Sequence, residues 1–174
     1  RFSAQKIDLF VADEKRYFSP IKVQESYPAE ANDKQAKSHL VLGWLLGHST
    51  DLAQQMRANL LARVLLDNSA SPLRRELETC GIGTGPSQLC GLEDSNKEMT
   101  FVCGLEGADV TDADQFETLV LDCLKKVALE GVPQSEIEAA LHQLELGQRE
   151  IGGDGYPFGM QLILSALPAA IHGG

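Results

Sequence analysis

Apolar residues recur along this chain with two different periods, and the change of period separates extended from helical segments. Two short stretches near the start, 7–11 and 21–27, have extended character, and residues 38–47 form a continuous apolar run. Such a run is typical of a strand that is buried on both faces of a sheet, so we predict a central strand over 38–47.

A second extended region has the strict alternation of a half-buried hairpin. Its predicted strands are 88–92 and 98–105, and a polar turn of residues 93–97 joins them. One face of the second strand carries Met99, Phe101, Cys103 and Leu105. This face is predicted to cover the core, because alternate side chains of a strand point to the same side.

Helical spacing accounts for most of the remaining chain. The predicted helices are 51–68, a short one from 71, 111–130, 133–151 and 160–171. Candidate caps are Ser49 and Thr50 for the first helix, Ser71 before Pro72 for the second, and a Thr111-x-x-Asp114 capping box for the third, with Gly131 as its stop. Strands, two helices, a hairpin and further helices, in that order, predict an α+β fold: a largely antiparallel sheet with helices packed on one face.

Charge narrows the possible partners. Lys and Arg number 15 against 25 Asp and Glu, so the formal net charge is −10. Long-range repulsion disfavours nucleic acid and anionic membranes as partners, whereas a cationic peptide would be attracted. Four cysteines, at 80, 90, 103 and 123, lack C-x-x-C spacing and sit among apolar residues, which favours reduced thiols in a reducing compartment.

Candidate chemistry is sparse. Glu138, His142 and Glu145 share one helical face, and His142 begins an H-x-x-E sequence. A catalytic zinc site needs three protein ligands, and Leu146 stands where the motif H-x-x-E-H needs its second histidine. We therefore interpret these residues as a solvated helical face. We predict no catalytic residue and no metal ligand, and the substrate-binding residues stay unknown.

Two glycine-rich stretches require a separate explanation. Residues 81–85 follow a helix and lack the Gly-Lys-Ser/Thr ending of a phosphate loop, so we interpret them as structural. Residues 152–159 interrupt two helices and are compatible either with a tight turn or with a hinge between neighbouring modules. The sequence leaves both possibilities open.

Two motifs resemble the pitrilysin and insulinase-type zinc metallopeptidases, specifically the presequence-protease branch. One is Ser71-Pro72-Leu73, and the other is Gly152-Gly153-Asp154-Gly155-Tyr156-Pro157 at the end of the fourth helix. The chain resembles the second, non-catalytic (inactive) domain of that family over residues 1–151. Residues 152–174 then form a glycine-rich turn and helix that lead toward the next segment of the parent chain. Since the chain begins without Met and stops just after an apolar helix, we expect it to be a piece of a longer protein.

The resemblance implies a function for the parent protein. It implies a chamber-forming domain of a zinc metalloendopeptidase that degrades unstructured, presequence-like peptides. It also implies that zinc is bound by a catalytic domain outside this chain, and that the partners are the catalytic and C-terminal domains of the same parent together with peptides, possibly basic ones. The implied location is the cytoplasm of a bacterium or an organelle matrix of a eukaryote. The alternative is a stand-alone, non-catalytic module that binds peptides or assembles a complex.

Overall fold

A four-stranded antiparallel sheet organises the part of the chain that the computed structural model describes, which is residues 10–28, 38–149 and 157–173. The strands are β1 (Ser38–His48), β2 (Gly85–Pro86), β3 (Gly91–Glu93) and β4 (Glu98–Ala108). β4 is the central strand, because it pairs with β1 along one side and with both β2 and β3 along the other.

β1 is therefore an edge strand within the described chain, and the prediction of a central strand buried on both faces is wrong. Its register runs from Ser38 opposite Ala108 to His48 opposite Glu98. Val41 and Leu45, which point away from the helices, are 44% and 37% exposed. An apolar run indicates that both faces of a strand can pack against apolar side chains. It does not indicate whether another strand pairs with each of its two edges.

The extended N-terminal segments also differ from prediction. Residues 10–28 contain no strand, so the strand predicted over 21–27 is wrong. The one predicted over 7–11 lies largely outside the described residues, and its last two positions, 10 and 11, are not in a strand. Alternating residues suit a strand, but a strand forms when a neighbour accepts its hydrogen bonds.

The helices confirm the predicted order. They are α1 (Leu52–Leu66), α2 (Pro72–Thr79), α3 (Ala113–Glu130), which a 3-10 turn at Val110–Asp112 precedes, α4 (Gln134–Arg149) and α5 (Phe158–His172). α3 ends at Gly131, whose φ of 76° is readily adopted by glycine. No helix in the described ranges is long and apolar enough to cross a membrane.

Three predicted helix caps are corrected. Asp51, not Ser49 or Thr50, caps α1, and its carboxylate accepts from the backbone N–H groups of Ala53 and Gln54 at 3.1 Å. Ser49 is buried and donates to the Lys97 carbonyl instead. The hydroxyl of Ser71 makes no cap bond to α2.

The predicted capping box at Thr111-x-x-Asp114 is absent for a similar reason. Asp109 accepts from both the backbone N–H and the hydroxyl of Thr111, at 2.8 and 2.7 Å. Asp114 instead forms an ion pair with Lys22, 2.7 Å away. Several Asp, Ser and Thr residues near a helix start compete for the same N–H groups, and the spacing does not decide between them.

The core lies between the sheet and helices α1, α2 and α3. The alternation predicted for 98–105 is confirmed, since Met99, Phe101, Cys103 and Leu105 are each no more than 8% exposed. Leu73 and Leu77 of α2 and Phe116 and Val120 of α3 are also buried. The α+β arrangement with helices on the inner face of an antiparallel sheet is therefore confirmed.

Candidate functional site

The two carboxylates that share one face of α4 with His142 make contacts along their own helix, and His142 itself is exposed. Glu138 accepts from the side-chain amide of Gln134 at 3.1 Å, and Glu145 pairs with Arg149 one turn later. Such i,i+4 contacts stabilise exposed helices. Across the described ranges no group of three His, Cys, Asp or Glu residues is arranged to hold a metal ion.

The Ser71-Pro72-Leu73 motif forms the elbow between α1 and α2. Ser71 is buried; its backbone N–H donates to the Asn68 carbonyl, and its hydroxyl accepts from the Asn68 N–H at 3.3 Å. Pro72 occupies the first turn of α2, where a missing N–H costs nothing, and Leu73 is completely buried. These contacts belong to the packing of α2 and form no reactive group.

The second motif falls mostly outside the described residues. Gly152 to Tyr156 are among the residues that the structure leaves undescribed, so a turn and a hinge remain open there. Pro157 immediately precedes α5, and its carbonyl accepts from the N–H of Met160 at 2.8 Å.

Among the glycines at 81–85, Gly83 is explained by a close approach to β4, whereas Gly81 has a positive φ of 69°. A Cβ at Gly83 would lie 2.6 Å from the Glu106 carbonyl oxygen, too close for any larger residue. The backbone N–H of Thr84 donates to the same oxygen at 2.8 Å, and β2 continues the pairing. This stretch therefore closes one side of the sheet.

The cysteines are free thiols in the described chain. Burial raises the pKa of the Cys103 thiol to about 12, and it also raises the pKa of Cys90 and of Cys123. The thiolate is the reactive form, so these positions favour inert, protonated side chains.

A dense ionic cluster joins the N-terminal segment to the sheet, and sequence reasoning did not find it. Glu98, with a side chain 4% exposed, binds the guanidinium of Arg16 and accepts from the backbone N–H of Glu14 at 2.6 Å. Asp13 lies 2.7 Å from the Lys97 ammonium and 3.3 Å from Nε2 of His48.

These contacts shift the carboxyl groups toward the ionised form. The Arg16 guanidinium, followed by the Glu14 N–H, holds the pKa of Glu98 below its ordinary value, and Lys97 does the same for the pKa of Asp13. Arg16 and Glu98 are 82 residues apart, and no local spacing signals such a pair.

Helix α5 is the other distinctive surface. None of its residues is buried, although it is the most apolar helix of the chain. Its large apolar side chains are between 39% and 65% exposed: Phe158, Met160, Leu162, Ile163, Leu164, Leu167 and Ile171. Exposed apolar surface of this extent is typical of interaction sites.

The fold is an α+β domain whose helices pack on one face of an antiparallel sheet. The structure superposes with a TM-score of 0.60 on the inactive peptidase domain of a proposed zinc protease from Bordetella parapertussis, covering 83% of this chain and 82% of that one at 15% identity. The sequence matches the family described as the Peptidase M16 inactive domain over residues 5–144, and the chain belongs to that family.

Similar proteins of known name include presequence proteases. The chain is 31% identical over 91% of its length to presequence protease 1, chloroplastic/mitochondrial, of Arabidopsis thaliana, and 29% identical over 84% to the mitochondrial presequence protease of Yarrowia lipolytica. It is also 27% identical over 99% to protein HypA of Clostridium perfringens. The resemblance to presequence proteases is thereby confirmed. The chain spans 15% of the length of the first two relatives and 18% of the third.

Proposed function

We propose that the chain is a non-catalytic, chamber-forming domain of a zinc metalloendopeptidase that degrades unstructured, presequence-like peptides. The observation that carries the proposal is the match to the inactive domain over residues 5–144. In addition, α4 contains one histidine, and the carboxylates on the same helical face make contacts with Gln134 and Arg149 of that helix. The presequence proteases among its relatives support the choice of substrate class.

In this proposal the chemistry belongs to another domain of the same parent chain. When bound there, a zinc ion supplies Lewis-acid activation of a water molecule. The residues of this chain contribute a wall that limits the size of entering substrates and a surface on which the catalytic and C-terminal domains dock.

The exposed face of α5 supports the docking role. Ile163, 65% exposed, and Ile171, 56% exposed, are among apolar side chains that a stable single domain would bury. The division we propose is an inactive domain over 1–151 and a connecting turn and helix over 152–174. In a eukaryote the parent would reside in an organelle matrix, as the names of two relatives suggest, and in a bacterium it would be cytoplasmic.

Separating the chain from its parent tests the proposal. The purified chain is dialysed against zinc-free buffer, analysed for metal and assayed with a fluorogenic peptide. The remainder of the parent is assayed with and without the chain added in trans. We expect the chain by itself to hold no stoichiometric zinc and to cleave nothing, and we expect its addition to restore cleavage by the remainder.

Two results would contradict the proposal. Stoichiometric zinc that His142→Ala removes would place a metal site on α4. Full activity of the remainder without this chain would favour the alternative, a stand-alone module that binds peptides or assembles a complex. The sequence that precedes residue 1 separates the two directly, because the proposal requires an H-x-x-E-H helix there.

A further inference from the structure

An apolar groove of about 300 Å³ lies on the surface between α1 and α4. Five of the six side chains that line it are apolar: Arg57, Leu60, Leu61, Val64, Val132 and Ile137. No residue of α5 lines this groove in the described part of the chain. The groove is therefore open to a segment that comes from elsewhere.

Exposed apolar side chains extend the groove along both of its helices. On α1, Leu52 and Met56 are exposed and precede Leu60 at intervals of four residues. On α4, Leu141 is exposed and follows Ile137 at the same interval. Because residues four apart lie on one face of a helix, these side chains continue the groove as an apolar surface about 18 Å long on α1.

Helix α5 has the length and the composition of a segment that fits this surface. Its exposed apolar side chains at 160, 163, 164, 167 and 171 recur at three- and four-residue intervals, so they form a row about 17 Å long. Residues 158–172 contain no Asp, Glu, Lys or Arg, whereas each of α1 to α4 contains charged residues. Among these helices, α5 can therefore enter an apolar groove without removing a charge from water.

We propose that the groove between α1 and α4 receives an uncharged apolar helix, and that α5 of a second copy of the chain occupies it. A helix that places an apolar row in a groove is a common mode of recognition. The α5 of the same copy lies outside the groove, so a second copy supplies the helix. Each copy has one groove and one α5, and two copies can exchange helices about a twofold axis. This exchange does not depend on the proposed role in a peptidase.

Opposite charges placed on the two sides of the contact test this proposal, with light scattering of the whole chain as the measurement. Leu61→Lys puts a cation in the groove, and Ile163→Glu puts an anion on α5. Both side chains are more than half exposed, so the core is left intact. Leu129→Lys is the matched control, because Leu129 is exposed on α3 and does not line the groove. Circular dichroism of each variant verifies folding.

We expect Leu61→Lys and Ile163→Glu each to weaken self-association about tenfold, since either substitution buries an unpaired charge in the contact. Leu129→Lys should leave self-association unchanged. An equimolar mixture of the Leu61→Lys and Ile163→Glu chains should associate to within about threefold of the unchanged chain, because the ammonium group then meets the carboxylate.

Three results would overturn the proposal. The first is an unchanged chain that stays monomeric at high concentration. The second is a loss of association in Leu129→Lys as large as that in Leu61→Lys, which would show that the groove is not the contact. The third is a mixture that associates no better than its two components, which would show that α5 and the groove do not meet.

Discussion

Trp44 of β1 and Phe101 of β4 lie directly opposite each other, with ring centroids 5.9 Å apart. Both point toward the helices, and Phe101 is 8% exposed. This pair joins the edge strand to the central strand on the face that covers the core. Cross-strand aromatic pairs add stability beyond their burial, so this contact helps to set the register of β1.

Truncating this pair should therefore be costly. We expect Phe101→Ala to lower the free energy of unfolding by about 3–5 kcal/mol, because the substitution leaves a cavity in the core. Leu45→Ala is the control, since Leu45 lies on the opposite face of β1 and is 37% exposed. Urea unfolding followed by circular dichroism measures both, and equal losses would show that the two faces of β1 are buried alike.

The apolar face of α5 should make the chain associate with itself when its parent is absent. We expect Ile163→Glu to lower the apparent mass measured by light scattering at high protein concentration, because it places a charge on that face. Ser165→Glu adds the same charge to the same helix without removing apolar surface. A monomeric unchanged chain, or equal effects of the two substitutions, would count against α5 as a docking surface.

The cap of α1 should contribute a pH-dependent part of the stability. Hydrogen bonds from Gln54, first its backbone N–H and then its side chain, hold the pKa of Asp51 below its ordinary value. A carboxyl whose pKa is lowered on folding stabilises the protein above its unfolded pKa of about 3.9, and this contribution is lost as pH falls through the folded pKa.

Two substitutions at this position separate capping from titration. The Oδ1 of Asn can accept the two backbone hydrogen bonds, from Ala53 and Gln54, but not the one from the Gln54 side chain to the second oxygen, and Asn does not titrate. Asp51→Asn should therefore lose less stability than the unchanged chain between pH 6 and pH 3. Asp51→Ala should be less stable throughout this range. Denaturant unfolding across a pH series provides the comparison, and parallel curves for Asn and Asp would exclude a contribution from titration.

The net charge of −10 should favour basic peptides in the intact parent. Carboxylates on a chamber wall raise the local concentration of cations through their summed field, and salt screens that field over about 8 Å at physiological ionic strength. We therefore expect a preference for basic over acidic peptides of equal length, strongest at low salt. If the acidity serves solubility, no such preference will be seen.

Substitutions that neutralise exposed acidic residues test whether the preference for basic peptides arises from this domain. Asp122→Asn with Glu130→Gln on α3 should weaken the preference, whereas Lys125→Gln on the same helix should strengthen it slightly. The ratio of kcat/KM for the two peptides across a salt series is the measurement. A ratio that is unchanged by either substitution would show that this domain does not steer substrates.

Most of the secondary structure could be predicted from the amino-acid sequence. The helix positions, the stop at Gly131 and the inward face of residues 99–105 follow from periodicity and from glycine, because each depends on hydrogen bonds and side-chain directions a few residues apart. The family resemblance, carried by residues 71–73 and 152–157, was readable in the same way and is confirmed by the match over 5–144.

Tertiary structure alone decided which strand lies at the centre of the sheet. β1 is apolar enough to lie either at the centre or at the edge of the sheet. β4 is the central strand because three strands pair with it, and one of them, β1, is 50 to 70 residues distant in sequence. The ion pair between Arg16 and Glu98 is likewise a contact across 82 residues. The periodicity of apolar residues predicts secondary structure, because secondary structure depends on residues a few positions apart. Strand order and long-range ion pairs depend instead on which distant segments of the chain pack together.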